Sequence, residues 1–243
     1  MLAFYLFDPM YFVYVGPAIL LAMWAQFKVK SAYAEAARHR ASSGLSGAET
    51  AQRILNAHGI TDVAIEPVKS FLGDHYDPRR KVLRLSPEVY QGRSLASLGI
   101  AAHEVGHAIQ DAKAYGPLAI RNGLVPMASI GSQLSMVLII GGIILNYVMG
   151  APGASGGFGT TIAAIGLGLF GVVVLFQLVN LPVEFNASSR ARGILLSQGM
   201  ITAQEGPVVG KVLNAAAMTY VAATITAIMT MLYYASIVFG RRD

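Results

Sequence analysis

The chain contains no cysteine. That excludes disulfides, thiolate metal ligands and a cysteine nucleophile together, so any metal it holds must rest on histidine and carboxylate. The absence says little about redox compartment, because a chain without thiols is tolerated anywhere. Charge is scarce as well. Asp, Glu, Lys and Arg make up 13% of the 243 residues, against about a quarter in an ordinary soluble domain. With 54% hydrophobic residues, much of the chain is expected in lipid. No basic stripe with interleaved aromatics is present, so nucleic acid is not expected as a partner. The net charge of +5 reads instead as a solvated surface plus charge flanking membrane spans.

What is present is apolar residues in long runs, with one polar island between them. Four segments approach the roughly 20 residues needed to cross a bilayer. They are Met10 to Gln26 (with room to begin as early as Leu2), Leu124 to Val148, Thr160 to Leu181, and Val212 to Phe239. The first lacks a basic leader and a small-residue cleavage signature, so it reads as a retained anchor rather than a signal peptide. The Gly-rich, uncharged stretch "GAPGASGGFGT" reads as a turn joining the second and third spans into a hairpin. The expected organisation is an anchor over 1–27, a polar domain over 28–123, a membrane hairpin over 124–181, a connection over 182–211, and a last span with its tail over 212–243.

Lys28, Lys30, Arg38, Arg40, Arg190, Arg192 and Lys211 gather on one side of these spans. By the positive-inside rule that side is cytoplasmic; Arg241 and Arg242 fall outside, against the rule. Whatever the absolute orientation, residues 103–107 and 182–192 share a compartment.

Within the island, "SGAETAQRILNAHG" spaces Ala48, Ala51, Ile54 and Leu55 as a helix ending at Gly59. "TDVAIEPV" and "KVLRLS" read as two strands, with "FLGDHYDPRR" a turn-rich connection between them. Ser86, Pro87 and Glu88 form a helix start, and Ser94 caps a further helix running to about Tyr115.

That helix carries "AAHEVGHAIQD". Residues four apart are stacked on one helix face, so His103 and His107 can offer nitrogens to one tetrahedral ion. Glu104 lies beside that line, where it can take a proton from a water acidified by zinc. Gly106 is expected to face away and allow close packing. The competing reading is a buried helix whose histidines are satisfied by ordinary hydrogen bonds. Yet His, Glu and His inside an Ala- and Ile-rich helix are costly to bury without a shared partner, and a cation supplies one.

A catalytic zinc takes three protein ligands. Glu184 is the best third candidate: the sole acid in "NLPVEFNASSRAR", it follows Pro182, where a new helix can start. Asp111, one turn past His107, reads as an outer partner or a solvated residue. His75 in "GDHYD" is a ligand, a substrate contact or a loop histidine, with a loop role near the cleft favoured. His39 and His58 read as surface residues.

The segments "SGAETAQRILNAHGI", "GDHYDPRRKVLRLSPEVY", "SLASLGIAAHEVGHAIQDA" and "LPVEFNASSRAR" closely resemble the YugP-type membrane zinc metallopeptidases of bacteria, distant relatives of the HtpX-like gluzincins. The resemblance implies an α-helical integral membrane protein of about four transmembrane helices with a small α/β zincin-like metalloprotease domain. It implies one zinc per chain on His103, His107 and Glu184, with Glu104 as general base. Val82, Leu83, Arg84 and Leu85 become the cleft-edge strand pairing with an extended peptide. Glu184 and Ala187 match the gluzincin pattern, but Ser188 stands where that pattern has Asp; Ser188 or Asn186 is then the substitute that orients a ligand. Arg190, Tyr220 and His75 are candidates for stabilising the oxyanion.

The function expected is a membrane-embedded zinc endopeptidase of the bacterial plasma membrane, its catalytic domain cytoplasmic, acting on protein or peptide substrates beside the bilayer. Natural substrate, regulatory partners and oligomeric state stay open. Two other readings stand beside it. A site-2-type intramembrane protease requires the HEVGH helix to span the membrane, and the apolar stretch Leu95 to Ile109 is short for that. A non-catalytic zinc scaffold requires a closed site, usually of four protein ligands, and no fourth is evident.

Overall fold

The computed structural model describes residues 8–69, 73–149 and 157–240. The Gly-rich turn at 150–156, the possible early start of the first span at Leu2, and Arg241 and Arg242 lie outside them. The elements, in chain order, are α1 (Pro9–Ala37), α2 (Gly47–Ala57), β1 (Ala64–Pro67), β2 (His75–Asp77), β3 (Val82–Leu85), α3 (Pro87–Tyr90), α4 (Leu95–Ala112), α5 (Gly116–Val148), α6 (Phe158–Ser197) and α7 (Gly206–Phe239). Four of them, α1, α5, α6 and α7, are long and apolar enough to cross a membrane. The fold is that of an α-helical integral membrane protein with a small α/β portion.

The chain divides into two compact units. The first comprises Met1–Trp24, Ile120–Asn180 and Tyr220–Asp243. It is apolar on its outside: Phe12, Val13, Leu20, Ile130, Val137 and Leu232 are exposed, as lipid-facing residues should be. Small residues bring α5 and α6 together. A Cβ at Gly142 would collide with the Gly159 carbonyl oxygen, and one at Gly166 would stand 2.8 Å from the Ser135 oxygen. This is close backbone packing of the kind that joins helices in lipid, where no hydrophobic effect drives association. Asp8 accepts from the Met10 amide at 2.9 Å and from the Tyr233 hydroxyl at 3.1 Å, fastening the start of α1 to α7.

The second unit comprises Ala25–Ala119 and Leu181–Thr219. Its α2 begins with a capping box: Glu49 Oε2 accepts the Ser46 amide at 2.6 Å, while Ser46 Oγ accepts the Glu49 amide at 3.2 Å. Ile54 and Leu55 on α2 are fully buried with Leu83 and Leu85 of the sheet and Leu98 and Ile109 of α4. Ala32 and Ala36 belong to the same core, which explains why α1 continues past Gln26 to Ala37. The helix-forming run after the first span is held by packing, not by lipid.

The sheet corrects two expectations. Three strands form it, not two, because His75–Asp77 inside the supposed turn pairs antiparallel with β3. Its order is β1-β3-β2, so Val82, Leu83, Arg84 and Leu85 form the central strand, bonded on both sides. They cannot serve as an edge strand; β1 and β2 are the two edges. Burial agrees, since Val82, Leu83 and Leu85 are core residues whereas β2 is exposed or half-buried.

Two helices also differ from expectation. α4 stops at Ala112, with Ala114 in the left-handed region at φ 49°, before α5 begins at Gly116. Pro182 does not open a new helix but lies inside α6, which continues to Ser197. A proline supplies no amide to the preceding turn, yet such positions persist where neighbouring helices support them.

Candidate metal centre

Two helices of the second unit build the site. Ser94 caps α4 by accepting the Ser97 amide at 3.1 Å, and the helix presents His103 and His107 one turn apart. Their rings lie edge to face with centroids 4.8 Å apart. α6 supplies Glu184, only 3% exposed, and Ser188 one turn further on. The crossing is close because of Gly106, whose Cβ would stand 2.9 Å from the Ala187 oxygen and 3.2 Å from its Cα. Gly106 thus allows the close packing expected of it, and the helix that packs there is the one that brings Glu184.

Glu184 Oε2 lies 3.3 Å from His103 Nε2, and Oε1 lies 3.7 Å from His107 Nε2. One candidate ligand atom from each residue falls within 4.8 Å of the others. A tetrahedral ion with bonds of about 2.0–2.1 Å keeps neighbouring ligand atoms roughly 3.3–3.4 Å apart. The 3.3 Å separation matches such an ion, and the 3.7 Å one is a few tenths of an ångström wider. Hydrogen bonding also fits an ion, since Glu184 Oε2 is buried and accepts none. A buried carboxylate oxygen without a donor is costly, and a cation facing both Nε2 atoms removes that cost.

The imidazole nitrogens turned away from Glu184 are each held. Ser188 Oγ lies 3.2 Å from His103 Nδ1, and Gln110 Oε1 lies 3.0 Å from His107 Nδ1. Gln110 is fully buried and donates to the Val183 carbonyl at 2.8 Å and to Asn186 Oδ1 at 3.0 Å. Asn186 thus reaches the centre only through Gln110, a residue the sequence reading overlooked. Its signal was its position, three residues beyond His107 on the same face. Burial alone would lower the pKa of His107, but the Glu184 carboxylate beside it and the charge of Glu104 lift it above the ordinary imidazole value. The site concentrates negative charge where a cation would sit.

Glu104 flanks the pair, and its Oε2 accepts the Tyr76 backbone amide of β2 at 3.1 Å. The Tyr76 hydroxyl in turn donates to Asp111 Oδ2 at 2.8 Å, and Lys81 Nζ donates to the same oxygen at 2.7 Å. Asp111 therefore fastens β2 and its following turn to α4 and is not bonded to either histidine. His75 is exposed, with Nδ1 2.8 Å from the Gly73 oxygen and Nε2 3.5 Å from Arg84 Nη1. It is not grouped with the His–His–Glu set. Arg190 donates through Nε to Asn186 Oδ1 at 2.7 Å. Tyr220 lies on α7, in the other unit.

Over 235 residues the chain is 44% identical to a protein of Bacillus subtilis (strain 168) named "Putative membrane protease YugP", covering 96% of this chain and 99% of that relative. No solved structure matches it. Residues 11–239 match the family described as "Putative neutral zinc metallopeptidase", and with nearly the whole sequence matched the chain belongs to that family.

Proposed function

We propose that this protein is a membrane-bound zinc endopeptidase in which His103, His107 and Glu184 hold one zinc per chain and Glu104 is the general base. The observation that carries the reading is the buried His–His–Glu set with a separate carboxylate, Glu104, beside it. Zinc held by these residues would supply Lewis-acid polarisation of a scissile carbonyl and a water of near-neutral pKa. Glu104 takes a proton from the attacking water as the carbon–oxygen bond forms. It then passes that proton to the amide nitrogen as the carbon–nitrogen bond breaks. Ser188 and Gln110 keep the two rings turned toward Glu184.

An extended peptide is placed on β2, the strand whose outer side meets α4. Tyr76 directs its amide outward to Glu104, so it is the donor that a peptide carbonyl would reach in strand addition. The basic residues Lys28, Lys30, Arg190, Arg192 and Lys211 support the reading that this unit faces the cytoplasm at the plasma membrane. Membrane and membrane-associated proteins are then the accessible substrates. A site-2-type arrangement loses support, because α4 is not among the four helices long and apolar enough to span.

Cleavage of an unfolded or membrane-protein substrate by the purified protein tests this reading. Glu104→Gln should bind zinc as the wild type does and cleave nothing. Turnover retained in that variant removes Glu104 as the base, and zinc binding with no wild-type cleavage of any substrate favours the non-catalytic scaffold.

A further inference from the structure

Resting on the zinc assignment, we infer that Arg190 and Asn186 are positioning residues for His107, acting through Gln110 by fixing the direction of every hydrogen bond between them. A guanidinium has donors only. Its Nε lies 2.7 Å from Asn186, so the Asn186 atom facing it is the amide oxygen. Gln110 faces that same oxygen at 3.0 Å and the Val183 carbonyl at 2.8 Å. Both are acceptors, so Gln110 presents its NH2 group to them. Only its oxygen is then left for His107 Nδ1, at 3.0 Å.

An acceptor opposite Nδ1 requires the proton on Nδ1. A neutral imidazole carries one such proton, so Nε2 is left with its lone pair, 3.7 Å from Glu184 Oε1 and facing the shared centre. Without Arg190 and Asn186, only the Val183 carbonyl would oppose a turn of the Gln110 amide that presents NH2 to Nδ1. The proton would then move to Nε2, where it excludes a cation. Gln110 is fully buried, so bulk water cannot restore the correct sense. Arg190 thereby acts at the metal centre from three hydrogen bonds away, and Asn186 is needed as an acceptor alone.

The last point supplies the test. Zinc affinity would be measured by chelator competition on the full-length protein in detergent, with the visible spectrum of the cobalt(II) form as a second readout. Asn186→Leu should bind zinc about 10–100-fold more weakly, the usual loss for an outer hydrogen-bond partner, with altered cobalt bands. Asn186→Asp keeps the acceptor and discards the NH2. It should stay within about 3-fold of wild type, well short of that loss. Gln110→Met should lose affinity as Asn186→Leu does, and it stands in if the leucine variant fails to fold. A leucine or methionine variant with wild-type affinity and spectrum overturns the inference. So does a folded Asn186→Asp protein that loses zinc as badly as the apolar variants. A wild-type protein that binds no zinc overturns the metal assignment itself, and this inference with it.

Discussion

Gly106 of α4 and Ala187 of α6 meet so closely that a Cβ at 106 would stand 2.9 Å from the Ala187 carbonyl oxygen. The obstructing atom is helix backbone, which cannot swing aside as a side chain can. Because Ala187 lies between Glu184 and Ser188, the contact sets how near both come to the histidines. Gly106→Ala should therefore push α6 outward at a cost of about 1–3 kcal/mol in overpacking. The expected signature is zinc affinity weakened at least 10-fold, with helix content unchanged by circular dichroism. Unaltered affinity would show that the crossing does not set the centre's dimensions.

Ser188 stands one turn after Glu184 with its Oγ 3.2 Å from His103 Nδ1. Ser188→Ala removes that partner and should weaken zinc binding by about 10–100-fold. Ser188→Asp restores the residue of the wider gluzincin pattern and offers a charged acceptor, making the His103 ring more basic. It should bind zinc at least as tightly as wild type. Chelator competition on the three proteins decides; an aspartate variant weaker than the alanine variant contradicts the orienting role.

Asp111 accepts from both the Tyr76 hydroxyl and Lys81 Nζ. Asp111→Ala should loosen β2 while leaving the zinc content intact. Steady-state kinetics should then show KM raised several-fold with a smaller change in kcat. The Asp111 hydrogen bond raises the pKa of Lys81. Burial and then Asp111 raise that of Tyr76. Groups whose folded-state pKa is raised contribute stability that is complete below the unfolded value and lost as pH climbs through the folded value. The clamp should therefore hold across the neutral range and fail only above about pH 10. Wild type should lose thermal stability there more steeply than Asp111→Asn. Parallel pH curves would remove Asp111 as the cause.

Much of this was legible in the sequence where the pattern is local. The His103–His107 spacing, the helical spacing of Ala48, Ala51, Ile54 and Leu55, and the four apolar runs each depend on local pattern, and each appears in the structure. Pairing is a different matter. Nothing in "KVLRLS" distinguishes a central strand from an edge, because that depends on where residues 64–67 and 75–77 come to lie. β2 has three residues and little apolar content, so its conformation follows from its bonds to β3 and α4 and not from its own propensity. Gln110 escaped notice because an uncharged amide carries no titratable signal, while the neighbouring Asp111 drew attention by its charge. Which of the two turns inward is decided by the rotation of α4 against α6, and that rotation is set by packing at Gly106.

Metal content tests the central claim most directly. Protein purified without chelators, wild type beside Glu184→Ala, would be assayed for bound metals by mass spectrometry. The account predicts roughly one zinc per wild-type chain and a small fraction of that in the variant, since a three-residue ligand set that loses its carboxylate no longer holds the ion. A wild-type protein free of zinc, or equal zinc in both proteins, would contradict it.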